Sequence, residues 1–183
     1  MQLSLHADYS LRVLLYLGTH PDQVVTTRDI SDAYGISKHH LVRVAQTLGE
    51  HGYVELMPGR AGGLRLAMDP FAIRLGDVVQ RTEPHLRIVE CFDAATNTCP
   101  IIDHCGLRHE LHKAVAAFVA SLNRTTLGDL LSSRRRGQFA AVFVRTQDLI
   151  RSGKKADTGD GTTRTVQRIP RGSRRPRPAG TRV

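Results

Sequence analysis

Tryptophan is absent, and phenylalanine and tyrosine number only five and four in 183 residues. No apolar run approaches the roughly 18 residues of a membrane span. The first twenty residues, MQLSLHADYSLRVLLYLGTH, lack a basic n-region, and Asp8 and Arg12 interrupt their apolar character. They read as a helix of the fold and not as a secretory signal, so a cytoplasmic protein with no membrane partner is expected. Cysteine is scarce as well: there are three, and all fall within CFDAATNTCPIIDHC, residues 91–105. An odd, clustered set in a reducing compartment favours metal or redox chemistry over a disulfide framework.

Acidic residues are scarce in one part of the chain. From residue 132 onward there are 14 Lys/Arg against 3 Asp/Glu, whereas residues 1–131 hold 12 against 14. The formal charge of +9 thus belongs to the tail. Any DNA binding by the body must come from local patches. Residues 132–183 are rich in Arg, Gly, Pro, Ser and Thr and are expected to be largely disordered, with FAAVFV an apolar island able to form one turn or a short strand.

The body reads as a mainly α chain with one β-hairpin. Leu3, Ala7, Leu11, Leu14 and Leu15 recur at helical steps over residues 3–17. Thr26 and Asp29 make a capping box, and Gly35 suits a left-handed helix end. Ser37 caps a following helix, KHHLVRVAQTLGEHG, whose Leu41, Val44, Ala45 and Leu48 share one face while His39, Arg43, Gln46 and Glu50 share the other. Helix, glycine turn, capped helix over about 28–51 is a helix-turn-helix. YVELM and GLRLA alternate and are joined by PGRAGG, a hairpin over 53–67 with a glycine-rich tip, the wing of a winged helix. A short helix, FAIRLGDVVQ, precedes the cysteine segment, which has no strong periodicity and reads as loop. Leu107, Leu111, Ala114, Val115, Phe118, Val119 and Leu122 then form a broad stripe on a long helix, about 107–122. Such a stripe outside the winged core suits a second subunit, packing back on the first helix being the alternative.

Two sites follow. Ser37, Lys38, His39, His40 and Arg43 open the recognition helix, whose start enters the major groove in this arrangement, and Arg43 can read guanine bidentately. Arg60 at the wing tip is placed to enter a minor groove. The three cysteines suit an iron–sulfur cluster, which usually takes four ligands. Zinc remains open, because His85, His104, His109 and His112 lie near in sequence, although the long Cys spacings lack the tight pairs common in structural zinc sites. A nucleophilic Cys–His enzyme is poorly supported, since no glycine-rich oxyanion loop is present.

LHADYSLRVLLYL, TTRDISDAYGISKHHLVRVAQTLGEHGYVEL, the wing GRAGGLRLA, LGDVV and the cysteine loop together resemble the iron–sulfur winged-helix repressors of the Rrf type, and among them the nitric-oxide-sensitive members. The likeness covers about residues 1–131. It implies a homodimer joined through helix 107–122 that binds a double-stranded DNA operator. It implies a cluster held by Cys91, Cys99 and Cys105, with [4Fe–4S] expected ahead of [2Fe–2S]. It further implies that Asp8, supplied by the other subunit, is the fourth ligand, with Arg12 one turn on to orient it. Members that govern cluster assembly instead use a histidine three residues beyond the last cysteine. That position here is Arg108, with His109 one residue off and His104 ahead of Cys105. The implied activity is repression released by nitric oxide. An iron- or cluster-status sensor of the same group, and a zinc-stapled constitutive DNA-binding protein, are the alternatives.

Overall fold

The computed structural model describes residues 2–59, 62–131 and 133–151. Helix α1 (Leu5–Thr19) starts where Ser4 Oγ accepts the Ala7 amide at 3.2 Å. Helix α2 (Thr27–Tyr34) opens on the expected capping box. Asp29 N–H donates to Thr26 Oγ1 at 3.2 Å, and the Asp29 carboxylate accepts the Thr26 amide at 3.0 Å. Gly35 closes it at φ 67°, a left-handed conformation that costs glycine no Cβ clash. Helix α3 (Lys38–Glu50) follows after three residues, capped by Ser37.

Strands β1 (Val54–Met57) and β2 (Gly63–Leu66) pair antiparallel, with Val54 opposite Leu66 and Leu56 opposite Leu64. Glu55 and Arg65 face each other across the pair and bond at 2.8 Å. Val25, just before α2, exchanges both backbone hydrogen bonds with Leu64 at 2.8 and 2.9 Å. The base of the wing is thereby tied to the helix-turn-helix.

The core lies between α1, α2, α3 and the wing base. Leu14, Leu17, Ile30, Leu41, Leu48 and Leu64 are fully buried there. Each such side chain contributes roughly 1.5–3 kcal/mol by leaving water. A 3-10 turn (Pro70–Ala72) leads into α4 (Leu75–Thr82), which packs on α1, puts Val78 into the core and buries Val79. Helix α5 (Gly106–Leu122) leans on α4, and Gly76 makes this possible. A Cβ there would sit 2.4 Å from Asn123 Oδ1 and 2.6 Å from the Val119 carbonyl. Asn123 locks the junction, accepting the Asp77 amide at 2.9 Å and donating to the Asp77 carboxylate at 3.0 Å.

The short α6 (Leu127–Leu130) places Leu127 and Leu131 in the core. The chain then departs from expectation. Ser133–Arg151 form a further helix, α7, instead of a turn or strand confined to FAAVFV. Phe143 is 6% exposed and lies against Tyr16 and Tyr34, with ring centroids 4.9 and 5.1 Å away. This tertiary contact supplies what local sequence pattern does not. The rest of the expected tail, 152–183, lies outside the described residues.

Candidate functional site

The two predicted sites occupy different parts of the fold. The first is the exposed start of α3. Ser37, Lys38, His39, His40 and Arg43 are all exposed, while Leu41, Val44, Ala45 and Leu48 face the core. The helix therefore divides as its periodicity requires. Ser37 Oγ accepts the His40 amide at 3.5 Å, so the cap sits within the surface it helps to present. Arg60, expected at the wing tip, lies outside the described residues.

Grooves flank α3 on both sides. One, about 490 Å³, is lined by Thr26 and Thr27 at the α2 start, Val42 and Gln46 of α3, and Leu56, Met57 and Pro58 of the wing. The other, about 580 Å³, is lined by His40, Arg43, Gln46 and Glu50 together with His6 and Tyr9 of α1 and Arg81 of α4. Gln46 borders both. Its position on the polar face is legible in the sequence, where it is not among the candidate contacts. Val42 on the same surface is 45% exposed, an apolar side chain of the kind that suits a thymine methyl. Thr27 adds a hydroxyl at the start of α2, whereas the Thr26 hydroxyl is committed to the Asp29 carboxylate, to which it donates at 2.7 Å.

His40 is not isolated on this surface. Its ring meets Tyr9 edge-on at 5.9 Å, and the Arg12 guanidinium lies 5.9 Å from the same Tyr9 ring and 6.0 Å from Tyr34. Arg12 donates from Nε and Nη2 to the two Asp8 oxygens at 3.0 and 2.7 Å. A two-point clamp of this kind fixes the plane of a carboxylate as well as its place. Each Asp8 oxygen still has acceptor capacity beyond its Arg12 bond. Burial pushes the Tyr34 hydroxyl up to about 12, against the opposing pull of Arg12. Asp8, Arg12, Tyr9 and His40 thus form one chain of contacts from α1 to the recognition helix.

The second site is the excursion from Glu83 to Cys105, between α4 and α5. Its entry is fastened to the start of α1, because the Ser4 amide donates to Glu83 Oε1 at 2.6 Å. Two 3-10 turns, Glu90–Phe92 and Ile102–His104, interrupt it, and Cys91 sits in the first. Asp93 organises the turn after Cys91. Its carboxylate accepts from Thr96 Oγ1 at 2.9 Å and the Ala95 amide at 3.1 Å and pairs with Arg87. Those partners, Thr96 foremost, hold its carboxyl below the usual range. Phe92 stacks on His112 of α5 at 3.8 Å with the rings parallel. Asn97 Oδ1 accepts the Cys99 amide at 3.3 Å. Cys105 occupies the N-cap position of α5 but makes no side-chain cap bond.

All three cysteines are free thiols and half-buried. That donor set fits thiolate ligation of an iron–sulfur cluster. It is not gathered within one chain: among the described residues no three His, Cys, Asp or Glu side chains converge to hold a metal ion. The structure thus brings together Ser37 to Arg43, and Asp8 with Arg12, but does not draw the cysteines and Asp8 into one site within the subunit.

Comparison with known proteins adds the following. The Rrf2 family model, described as iron-dependent transcriptional regulators, matches residues 3–133. The regulator NsrR of Bacillus subtilis is 47% identical over 135 residues, 73% of this chain and 92% of that protein. NsrR of Geobacillus kaustophilus is 46% identical over the same length, again covering 92% of that protein. The solved structure of T. potens IscR aligns with a TM-score of 0.59 at 22% identity, over 75% of this chain and 91% of that one. CymR, the global cysteine regulator of B. subtilis, gives 0.57 at 24% identity, over 71% and 95%. At these identities the structural likeness is one of fold, and the fold is that of winged-helix regulators.

Proposed function

Because the chain belongs to the Rrf2 family of transcriptional regulators, and is a DNA-binding regulator and not an enzyme, we propose that it is a homodimeric, cluster-dependent repressor that senses nitric oxide. In this reading it represses genes of nitric-oxide detoxification and releases them on exposure. The observation that carries it is the set of three free thiols on the excursion ahead of α5, in a chain whose helix-turn-helix surface is exposed.

Cys91, Cys99 and Cys105 would hold the cluster, [4Fe–4S] ahead of [2Fe–2S], with Asp8 of the other subunit as the fourth ligand. The cluster, when bound, supplies iron that reacts with nitric oxide. Everything else falls to the protein. Arg12 orients Asp8 through its two-point clamp. The Tyr9–His40 contact joins that carboxylate's helix to the start of α3. A change in what Asp8 binds then bears on the recognition helix, and the difference in DNA affinity between the two states is the switch. Lys38, His39, His40 and Arg43 meet the operator, two heads spanning half-sites about one DNA turn apart. Arg60 is the proposed wing contact.

The test is anaerobic purification followed by absorption spectroscopy, iron and sulfide analysis, and nitric-oxide titration with labelled operator DNA. A coloured protein that loses its cluster bands and its DNA together supports the reading. The family's description as iron-dependent favours a second one, sensing of iron or cluster status. A coloured protein that ignores nitric oxide but releases DNA on chelation would establish that instead. A colourless, zinc-containing protein would overturn both. Asp8→Ala should change cluster stability or the rate of reaction with nitric oxide. An unaltered spectrum and an unaltered rate would remove Asp8 from the ligand set.

A further inference from the structure

Among the described residues, two buried side-chain nitrogen atoms lack a hydrogen-bond partner, and Arg108 Nε is one of them. Buried donors are nearly always paired, and one that is not points to a water, an ion or a bound group as its partner. Arg108 is half-buried. None of the ion pairs among the described residues involves it. A guanidinium out of contact with both an anion and an acceptor is an unfinished site.

Its place on α5 says what the site is for. Cys105 holds the N-cap position of that helix, and Arg108 follows one turn on. At about 100° per residue, Cys105, Arg108 and His112 fall within about 60° of one another on the helix. His112 is the residue on which Phe92 stacks, ring parallel to ring at 3.8 Å. Phe92 directly follows Cys91 in the same 3-10 turn. The turn that carries Cys91 therefore lies against the face of α5 that begins at Cys105, and Arg108 stands between the two contacts. Helical side chains lean toward the N-terminus of their helix, which sets Arg108 toward Cys105.

The nearby carboxylates are engaged or turned away. Asp93 pairs with Arg87 and accepts from Thr96 and Ala95. Glu90 accepts from Thr98 Oγ1 at 3.5 Å. Glu110 lies on the opposite side of α5 and pairs with Lys113 at 2.8 Å. A guanidinium has five N–H donors and no acceptor, so it cannot ligate iron as a histidine does. It can donate to sulfur. Three thiolates and a carboxylate are all anions, and a cation among them has the charge that such a site lacks.

We propose that Arg108 gives its Nε–H to anionic sulfur at the Cys105 corner of the cluster site and supplies the positive charge that balances it. This rests on the proposed ligation by Cys91, Cys99 and Cys105. Hydrogen bonds to sulfur and the net charge of the surroundings set the potential of such clusters. Arg108 thus favours the more negatively charged, reduced form and holds the midpoint up.

The experiment compares the anaerobically purified full chain with Arg108→Leu, which removes donor and charge, and Arg108→Lys, which restores the charge. Iron and sulfide are measured first. The readouts are the cluster midpoint, by mediated titration with dithionite, and the iron–sulfur stretching bands in H2O and D2O by resonance Raman. The leucine variant should show a more negative midpoint, by about 59 mV or more, which is tenfold in the oxidised-to-reduced ratio of a one-electron couple. It should also lose part of the deuterium shift, and the lysine variant should recover most of the midpoint. Should the leucine variant hold no cluster, Arg108→Gln stands in for it. Midpoints and deuterium shifts shared by the full chain and the neutral variant overturn the role of Arg108. A lysine midpoint as displaced as that of the neutral variant also overturns it, because restored charge would then change nothing. A full chain that holds no cluster overturns the ligation on which the inference rests.

Discussion

Single atoms decide two features of the fold. Gly76 lets α5 rest on α4, and a methyl group there would collide with Asn123 and the Val119 carbonyl. Backbone cannot step aside as a flexible side chain can. Gly76→Ala should therefore cost about 1–3 kcal/mol, the range for overpacking. Urea denaturation measures this, with the midpoint falling while the slope stays. Tyr34 offers a test by pH. Burial raises its hydroxyl to about 12 from an ordinary value near ~10, so the fold favours the neutral phenol. Its contribution is complete below the unfolded value and is lost as pH climbs from there through about 12. Tyr34→Phe should flatten that alkaline loss while keeping the ring against Phe143. Denaturation midpoints compared between about pH 9 and about pH 11 would show it, and an equal loss in both proteins would exclude Tyr34 as the cause.

Elements differ in how plainly the sequence announces them. Thr26, Asp29, Gly35 and Ser37 mark the helix-turn-helix almost completely, because caps and left-handed turns depend on side chains a few residues apart. The wing is as clear, since alternation in YVELM and GLRLA needs no partner beyond the hairpin. Helix α7 is not. FAAVFV is a continuous apolar run with β-branched residues and no helical stripe. Phe139 and Phe143 gain their meaning only from Tyr16 and Tyr34, more than 100 residues away. The site divides in the same manner. Lys38 to Arg43 follow from one cap, whereas pairing Asp8 with the cysteines rests on the family resemblance, because a ligand from a second chain leaves no spacing to read. Arg43→Ala belongs to this scale. It should weaken operator binding by about tenfold or more, given roughly 1–3 kcal/mol for a bidentate guanine contact, and leave the visible spectrum intact. Unchanged discrimination between operator and scrambled DNA would displace Arg43 from the recognition surface.

At the scale of the molecule, α5 is the element with unfinished packing. Of its seventeen residues only Val119 is buried, while Leu107 is 65% exposed and Leu111, Val115 and Phe118 are half-buried. A stripe of that breadth on one helix is what a second copy would cover. Ala114→Glu, exposed in the subunit, should leave the fold intact but shift the protein to monomer in sedimentation. A dimer that persists would place the interface elsewhere. The recognition helix and α5 share no residues, and this separation has a genetic consequence. In the proposed dimer, a subunit with Lys38 and Arg43 reversed in charge would keep its α5 and pair with normal subunits, giving mixed dimers with one working head. Such an allele should be dominant in a cell that carries both copies, raising expression of the repressed genes despite the intact gene beside it. An α5 allele that cannot pair should be recessive.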